Sequence, residues 1–178
     1  MPNFRRIFQD NSFVFITILI NNRKRQLLTN YIENLRGAFK KSQKMVNYEI
    51  YAISVMHEHL HLIIQPQEIK DYPKIVSIIK REFTKSLPEN VRIILREEIS
   101  ISKVNKRESG VWHRRYYEHT IRDQDELNHL TDYIHYNPVK HGLAKSAYDW
   151  EYSSFKKFVK LGNYDKGWCD FTEGIDYN

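Results

Sequence analysis

Cysteine is almost absent: Cys169 is the single one in 178 residues. An intrachain disulfide and a cysteine-based zinc cage are therefore excluded, and a reducing compartment, by default the cytoplasm, fits the chain. Glycine and proline are also scarce, at 6 and 5 residues, which excludes collagen-like and low-complexity disordered chains. Long apolar runs are missing too. The longest, Phe13 to Ile20, falls well short of the roughly 20 residues a spanning helix needs. No small-residue cleavage site follows it, so neither export nor membrane insertion is expected.

What remains is the composition of a globular protein, 41% apolar and 28% charged. The length matches about one ordinary domain of roughly 100–200 residues. Residues 1–178 are expected to form that domain, with 143–178 a C-terminal extension whose Tyr148, Trp150, Tyr152, Phe155 and Phe158 pack on the same core. Lys and Arg total 28 against 22 Asp and Glu, a net charge of +6, which favours a polyanionic partner.

Phe13 to Leu19 is rich in aromatic and β-branched residues between turn formers, and reads as a buried central strand. Leu27, Leu28, Ile32, Leu35 and Phe39 recur at helical spacing from Gln26 to about Lys44, with lysines crowding the last turn. Tyr48–Met56 and His59–Gln65 suggest antiparallel strands about a tight turn at His57-Glu58, Pro66 ending the second. Asp71-Tyr72-Pro73 opens a second helix striped by Ile75, Ile78, Ile79 and Phe83. Ile93, Ile94 and Leu95 hint at a short element in Glu89–Ser109, a stretch that otherwise resists placement, and the end of Val111–Ile121 is expected to supply a last strand. Asp123 and Glu126 have capping-box spacing for a third helix, which Pro138 should end by Asn137. The order is that of an α+β fold of split βαβ type on an antiparallel sheet.

Three features bear on chemistry. In a strand, His59 and His61 share the face opposite Leu60 and Leu62, with Cα atoms about 6.5–7 Å apart, close enough to converge on one divalent ion. Two exposed histidines on a sheet face are the ordinary alternative. On the third helix, Leu127, Leu130 and Ile134 form the buried stripe, and Tyr133 and Asn137 lie along its edge. A phenol there can act as a covalent nucleophile on a polarised phosphate, or it can simply be a core tyrosine. Basic knots interleave with aromatics, notably Arg114-Arg115 beside Trp112, Tyr116 and Tyr117. Cations hold a phosphate backbone and aromatic faces stack on unpaired bases, so a single-stranded nucleic acid suits this pattern.

Met56-His57-Glu58-His59-Leu60-His61, Arg115 to Arg122, Tyr133 to Leu143 and Trp150 to Phe155 fall in the order seen in single-tyrosine transposases. The chain resembles the IS200-like superfamily and, within it, the subgroup associated with repetitive extragenic palindromes. The resemblance implies a ferredoxin-like fold, an antiparallel sheet with helices on one face and the catalytic tyrosine on a C-terminal helix. It implies that His59 and His61 bind Mg²⁺ or Mn²⁺ and that Tyr133 is the nucleophile. The third ligand is often Gln four positions past the tyrosine, where this chain has Asn137. The implied activity is cleavage of single-stranded DNA beside a hairpin, with a 5′-phosphotyrosine link and rejoining by a free 3′-OH, by a monomer or homodimer. By position in the subgroup, Arg5 and Arg6 are the implied DNA contacts; the basic pattern adds Arg114 and Arg115, and Lys140, Glu118 and His119 are further candidates for phosphate contact or proton handling, Lys140 as a DNA contact. A noncatalytic single-strand-binding module and a hydrolase that activates water are the competing functions.

Overall fold

The computed structural model describes residues 12–99 and 109–169. Four strands, β1 (Val14–Leu19), β2 (Tyr48–Val55), β3 (His59–Pro66) and β4 (Tyr117–Thr120), form one antiparallel sheet in the order β2-β3-β1-β4. Alternation divides β1 and β3 between two environments. Val14, Ile16, Ile18, Leu60, Leu62 and Ile64 join one core with the helices α2 (Ile32–Met45) and α3 (Tyr72–Ser86). Phe15 and Ile63 face the other side, where Ala52, Ile121, Leu127, Ile134 and Phe158 form a smaller core. Because both faces are covered, β1 reads as a continuous apolar run rather than an alternating one.

The first predicted helix is in fact two. A short α1 (Leu27–Asn30) precedes α2, and the break falls at Tyr31, whose φ of −118° and ψ of 40° leave the helical region. The short element hinted at by Ile93, Ile94 and Leu95 is a helix, α4 (Glu89–Glu97), which buries Leu95 and leaves Ile93 and Ile94 exposed. β3 runs through Pro66 rather than stopping before it.

The third predicted helix is α5 (Gln124–Lys140), and Pro138 does not end it. Asp123 caps its start, its carboxylate accepting the Glu126 N–H at 2.8 Å. Proline in a last turn removes only the bond its own N–H would have made to the Ile134 carbonyl, so the helix continues one turn further. It stops at Gly142, at φ +68°, where Gly142 N–H donates to Val139 O and Leu143 N–H to Pro138 O, both at 2.9 Å. That paired pattern is a Schellman stop.

Helices α2 and α3 share one face of the sheet, as the sequence led us to expect. Helix α5, with α6 (Phe155–Lys160), lies on the opposite face. The tail therefore does not pack only on the main core: Tyr152 leans on that core and Phe158 enters the smaller one. The tail also runs along β2, the outer strand on that side, with Val55 N–H donating to Tyr152 O and Ser154 N–H to Ile53 O. An open edge is thereby covered. Among the described residues no helix is long and apolar enough to cross a membrane.

Candidate active site

The turn at His57-Glu58 starts β3 so that His59 and His61 point to the face carrying Phe15 and Thr17. They are not exposed: both are at least nine-tenths buried, and their ring centroids are 4.9 Å apart. Thr17 stands directly opposite His61 on β1, and its Oγ1 is 2.8 Å from His61 Nδ1. His59 Nδ1 lies 3.2 Å from Glu58 Oε1. A carboxylate only accepts, so His59 carries its proton on Nδ1 and turns the lone pair of Nε2 outward. The same tautomer of His61, with Thr17 accepting, leaves its Nε2 lone pair available too. Phe15 stacks on the His61 ring at 5.7 Å.

Burial, together with the neighbouring His59 and His141, lowers the His61 pKa to about 3. Burial also lowers that of His59, against the opposing pull of Glu58. Both imidazoles are neutral near pH 7, the state in which they can donate electron pairs to a cation.

From above the sheet, α5 places Tyr133 with its ring centroid 5.2 Å from that of His61 and 6.1 Å from Phe15. One turn on, Asn137 is fully buried beside the two imidazoles. Its Nδ2 reaches the Tyr133 carbonyl at a long 3.4 Å, and its Oδ1 is buried with no hydrogen-bond partner. A buried amide oxygen without a partner is costly unless something else takes its lone pairs. The end of the helix adds Lys140, whose Nζ is 5.8 Å from the Tyr133 ring centroid, and His141, 5.1 Å from His59. Tyr133, His59, His61, Asn137 and Lys140 thus form one cluster.

Other sequence candidates lie apart from it. Arg114 and Arg115 are exposed on the approach to β4, while Arg5 and Arg6 lie outside the described residues. Glu118 pairs with Ile16 and so faces away from the histidines. His119 Nε2 is 2.8 Å from Glu126 Oε1, which also accepts from Arg122, so this histidine ties β4 to the start of α5. Trp112 is buried and its Nε1 donates to Lys80 O at 3.0 Å, which removes it from any stacking surface. The sequence reading did not single out Thr17, Phe15, Glu58 or His141 as members of the site. Thr17 alone left a signal, as the polar residue inside an otherwise apolar strand.

The sequence and the fold match a known family. The sequence matches the family described as transposase IS200-like over residues 11–137. It is 38% identical over 169 residues to a Haemophilus influenzae protein grouped with the REP-associated tyrosine transposases, covering 94% of this chain and 93% of that one. A REP-associated tyrosine transposase of Escherichia coli K12 is 32% identical over 98% of this chain and 97% of its own. A solved REP-associated tyrosine transposase bound to a REP hairpin superposes with a TM-score of 0.78 at 30% identity, covering 99% of this chain and 96% of the other. The chain belongs to the IS200-like transposases, among the REP-associated tyrosine transposases.

Proposed function

We propose that this transposase cuts and rejoins single-stranded DNA beside a hairpin, with Tyr133 as nucleophile and with Mg²⁺ or Mn²⁺ held by His59, His61 and Asn137. The observation that carries the reading is the 5.2 Å separation of the Tyr133 and His61 rings across two elements distant in sequence. The donor set also fits a divalent ion: two neutral imidazoles with Nδ1 already engaged, and a buried amide oxygen without a partner. Bound there, the ion supplies Lewis-acid polarisation of the scissile phosphate.

The residues of the chain do the rest. Tyr133 Oη gives up its proton and forms a bond to phosphorus while the P–O3′ bond breaks, and the departing 3′ oxygen takes up a proton. A phosphotyrosine ester to the 5′ end remains. A 3′-OH attacking that ester reverses the step, releasing the phenol and joining two strands with no net loss of ester bonds. Lys140, beside the phenol, offsets negative charge there. Arg114 and Arg115 hold flanking phosphates, and Arg5 and Arg6 contact bases near the foot of the hairpin. The hairpin held by the solved relative supports this substrate class.

The test starts from a stem–loop with single-stranded flanks, enriched by the wild-type chain from a randomised oligonucleotide pool. With Mn²⁺ it is expected to give an SDS-stable protein–DNA adduct, lost in Tyr133→Phe, in His59→Ala and on adding EDTA. Cleavage retained by Tyr133→Phe points to an activated water, and binding without cleavage under any condition points to a noncatalytic module. Either result overturns the assignment.

A further inference from the structure

Tyr117 is the one aromatic side chain that is substantially exposed among the described residues, at 59%. It stands on the histidine face. Strand pairing sets His61 opposite Thr17 and Thr17 opposite Tyr117, so the three form a row across β3, β1 and β4. Neighbouring strands are about 4.8 Å apart, which puts the Tyr117 backbone roughly 10 Å from that of His61. Helix α5 packs mainly over β2 and β3, and Tyr117, at the β4 end of the row, is exposed. Phe15 meets the Tyr117 ring at 6.1 Å with the two planes at 69°, and Phe15 also contacts Tyr133 and His61.

The approach to this ring is rigid and cationic. Trp112 is buried against Phe83, and its Nε1 donates to Lys80 O at 3.0 Å and to Thr84 Oγ1 at 3.2 Å. Lys80 Nζ in turn donates to His113 O at 2.7 Å. Tyr116, on the alternate side of the strand, leans on the main core. These contacts fix the backbone on either side of Arg114 and Arg115, while the two guanidiniums are exposed and pair with no carboxylate among the described residues. An outward ring beside two exposed cations, on the face that carries the nucleophile, has the composition of a single-strand binding platform.

We propose that Tyr117 is the stacking platform for one unpaired base of a nucleotide adjoining the scissile phosphate, with Arg114 and Arg115 holding the phosphates next to that base. The inference rests on the reading of the substrate as single-stranded DNA beside a hairpin. Stacking accepts any base, because every base has a π face, so the platform sets how the strand lies across the site rather than which sequence is chosen. Through Phe15, the same ring shares a contact with Tyr133 and His61, so a base seated on it brings its phosphate toward both.

The test measures binding in the Tyr133→Phe background, where no cleavage is needed, so a failed adduct experiment leaves it readable. Two probes are used: the enriched stem–loop with its single-stranded flanks, and the same stem–loop trimmed of them. Tyr117→Ala is expected to weaken the flanked probe by roughly 5- to 150-fold, the range for losing one base stack. The trimmed probe is expected to bind both forms equally, and Tyr117→Trp is expected to restore the flanked probe. With 2-aminopurine stepped through the flanks, quenching at one position should depend on an aromatic side chain at 117. Equal weakening of both probes, no weakening of either, or quenching that survives Tyr117→Ala overturns the proposal.

Discussion

Thr17 decides how His61 presents itself. An imidazole has two nitrogens, and which one offers a lone pair depends on what the other is bonded to. The Thr17 hydroxyl 2.8 Å from Nδ1 holds the ring plane and can accept the Nδ1 proton, and Phe15 stacks on the same ring from the side. Thr17→Val keeps the shape and removes the acceptor, leaving a buried N–H without a partner at a cost of about 1–3 kcal/mol. The expected outcome is a Mn²⁺ affinity lower by about 10–100-fold, read by isothermal titration or electron paramagnetic resonance, with Thr17→Ser restoring it. Unchanged affinity in the valine variant overturns this role for Thr17. At this scale the sequence exposes what alternates and hides what depends on register. His59 and His61 are legible from their spacing, whereas Thr17 becomes a partner of His61 only once the β1–β3 pairing is known. Their burial was equally hidden, since it is imposed by a helix arriving from far along the chain.

The elements end where backbone geometry allows, and two glycines show this in different ways. Gly142 closes α5 at φ +68°, with open space where a Cβ would go. Gly110, at φ +79°, lies beneath α4, and a Cβ there would sit 2.1 Å from the Leu95 carbonyl oxygen. Gly142→Ala carries only the conformational penalty of a left-handed residue, about 1–2 kcal/mol. Gly110→Ala carries that penalty and a collision with backbone, so it is expected to lower the urea midpoint clearly more than Gly142→Ala does. Equal midpoints would show that α4 gives way freely. The end of α5 also explains a sequence error. The rule that residues before proline avoid the helical region favours a stop at Asn137, but in a last turn proline removes one bond and the glycine beyond sets the true end. Helix α4 was legible only as a hint at Ile93, Ile94 and Leu95, because nine residues with Leu95 as the one buried side chain give too short a window to tell helix from strand.

At the scale of the whole molecule, the order of strands and helices was legible, because each element carries its own period. The placement of α5 on the sheet face opposite α2 and α3 was not, since an amphipathic stripe does not say which side of a sheet will receive it. That placement bears on whether Tyr133 serves its own chain or a partner. Three ties hold α5 in place. His119 of β4 meets Glu126 in its first turn at 2.8 Å, and only residues 121–123 separate strand from helix. His135 Nε2 lies 2.9 Å from Ser154 Oγ, and that same oxygen accepts the Ile53 N–H of β2 at 2.9 Å. Trp150 Nε1 donates to Val55 O at 2.9 Å, holding the tail that carries Ser154 along β2. Exchanging the helix with a second copy would break all three, and the Tyr133 ring already stands 5.2 Å from His61 of its own chain. A mixture of Tyr133→Phe and His61→Ala chains, unfolded and refolded together, is therefore expected to form no covalent adduct, although wild-type chains treated alike do. An adduct recovered in the mixture would mean that the phenol of one chain reaches the imidazoles of another, and the ties around Ser154 would then have to form between subunits.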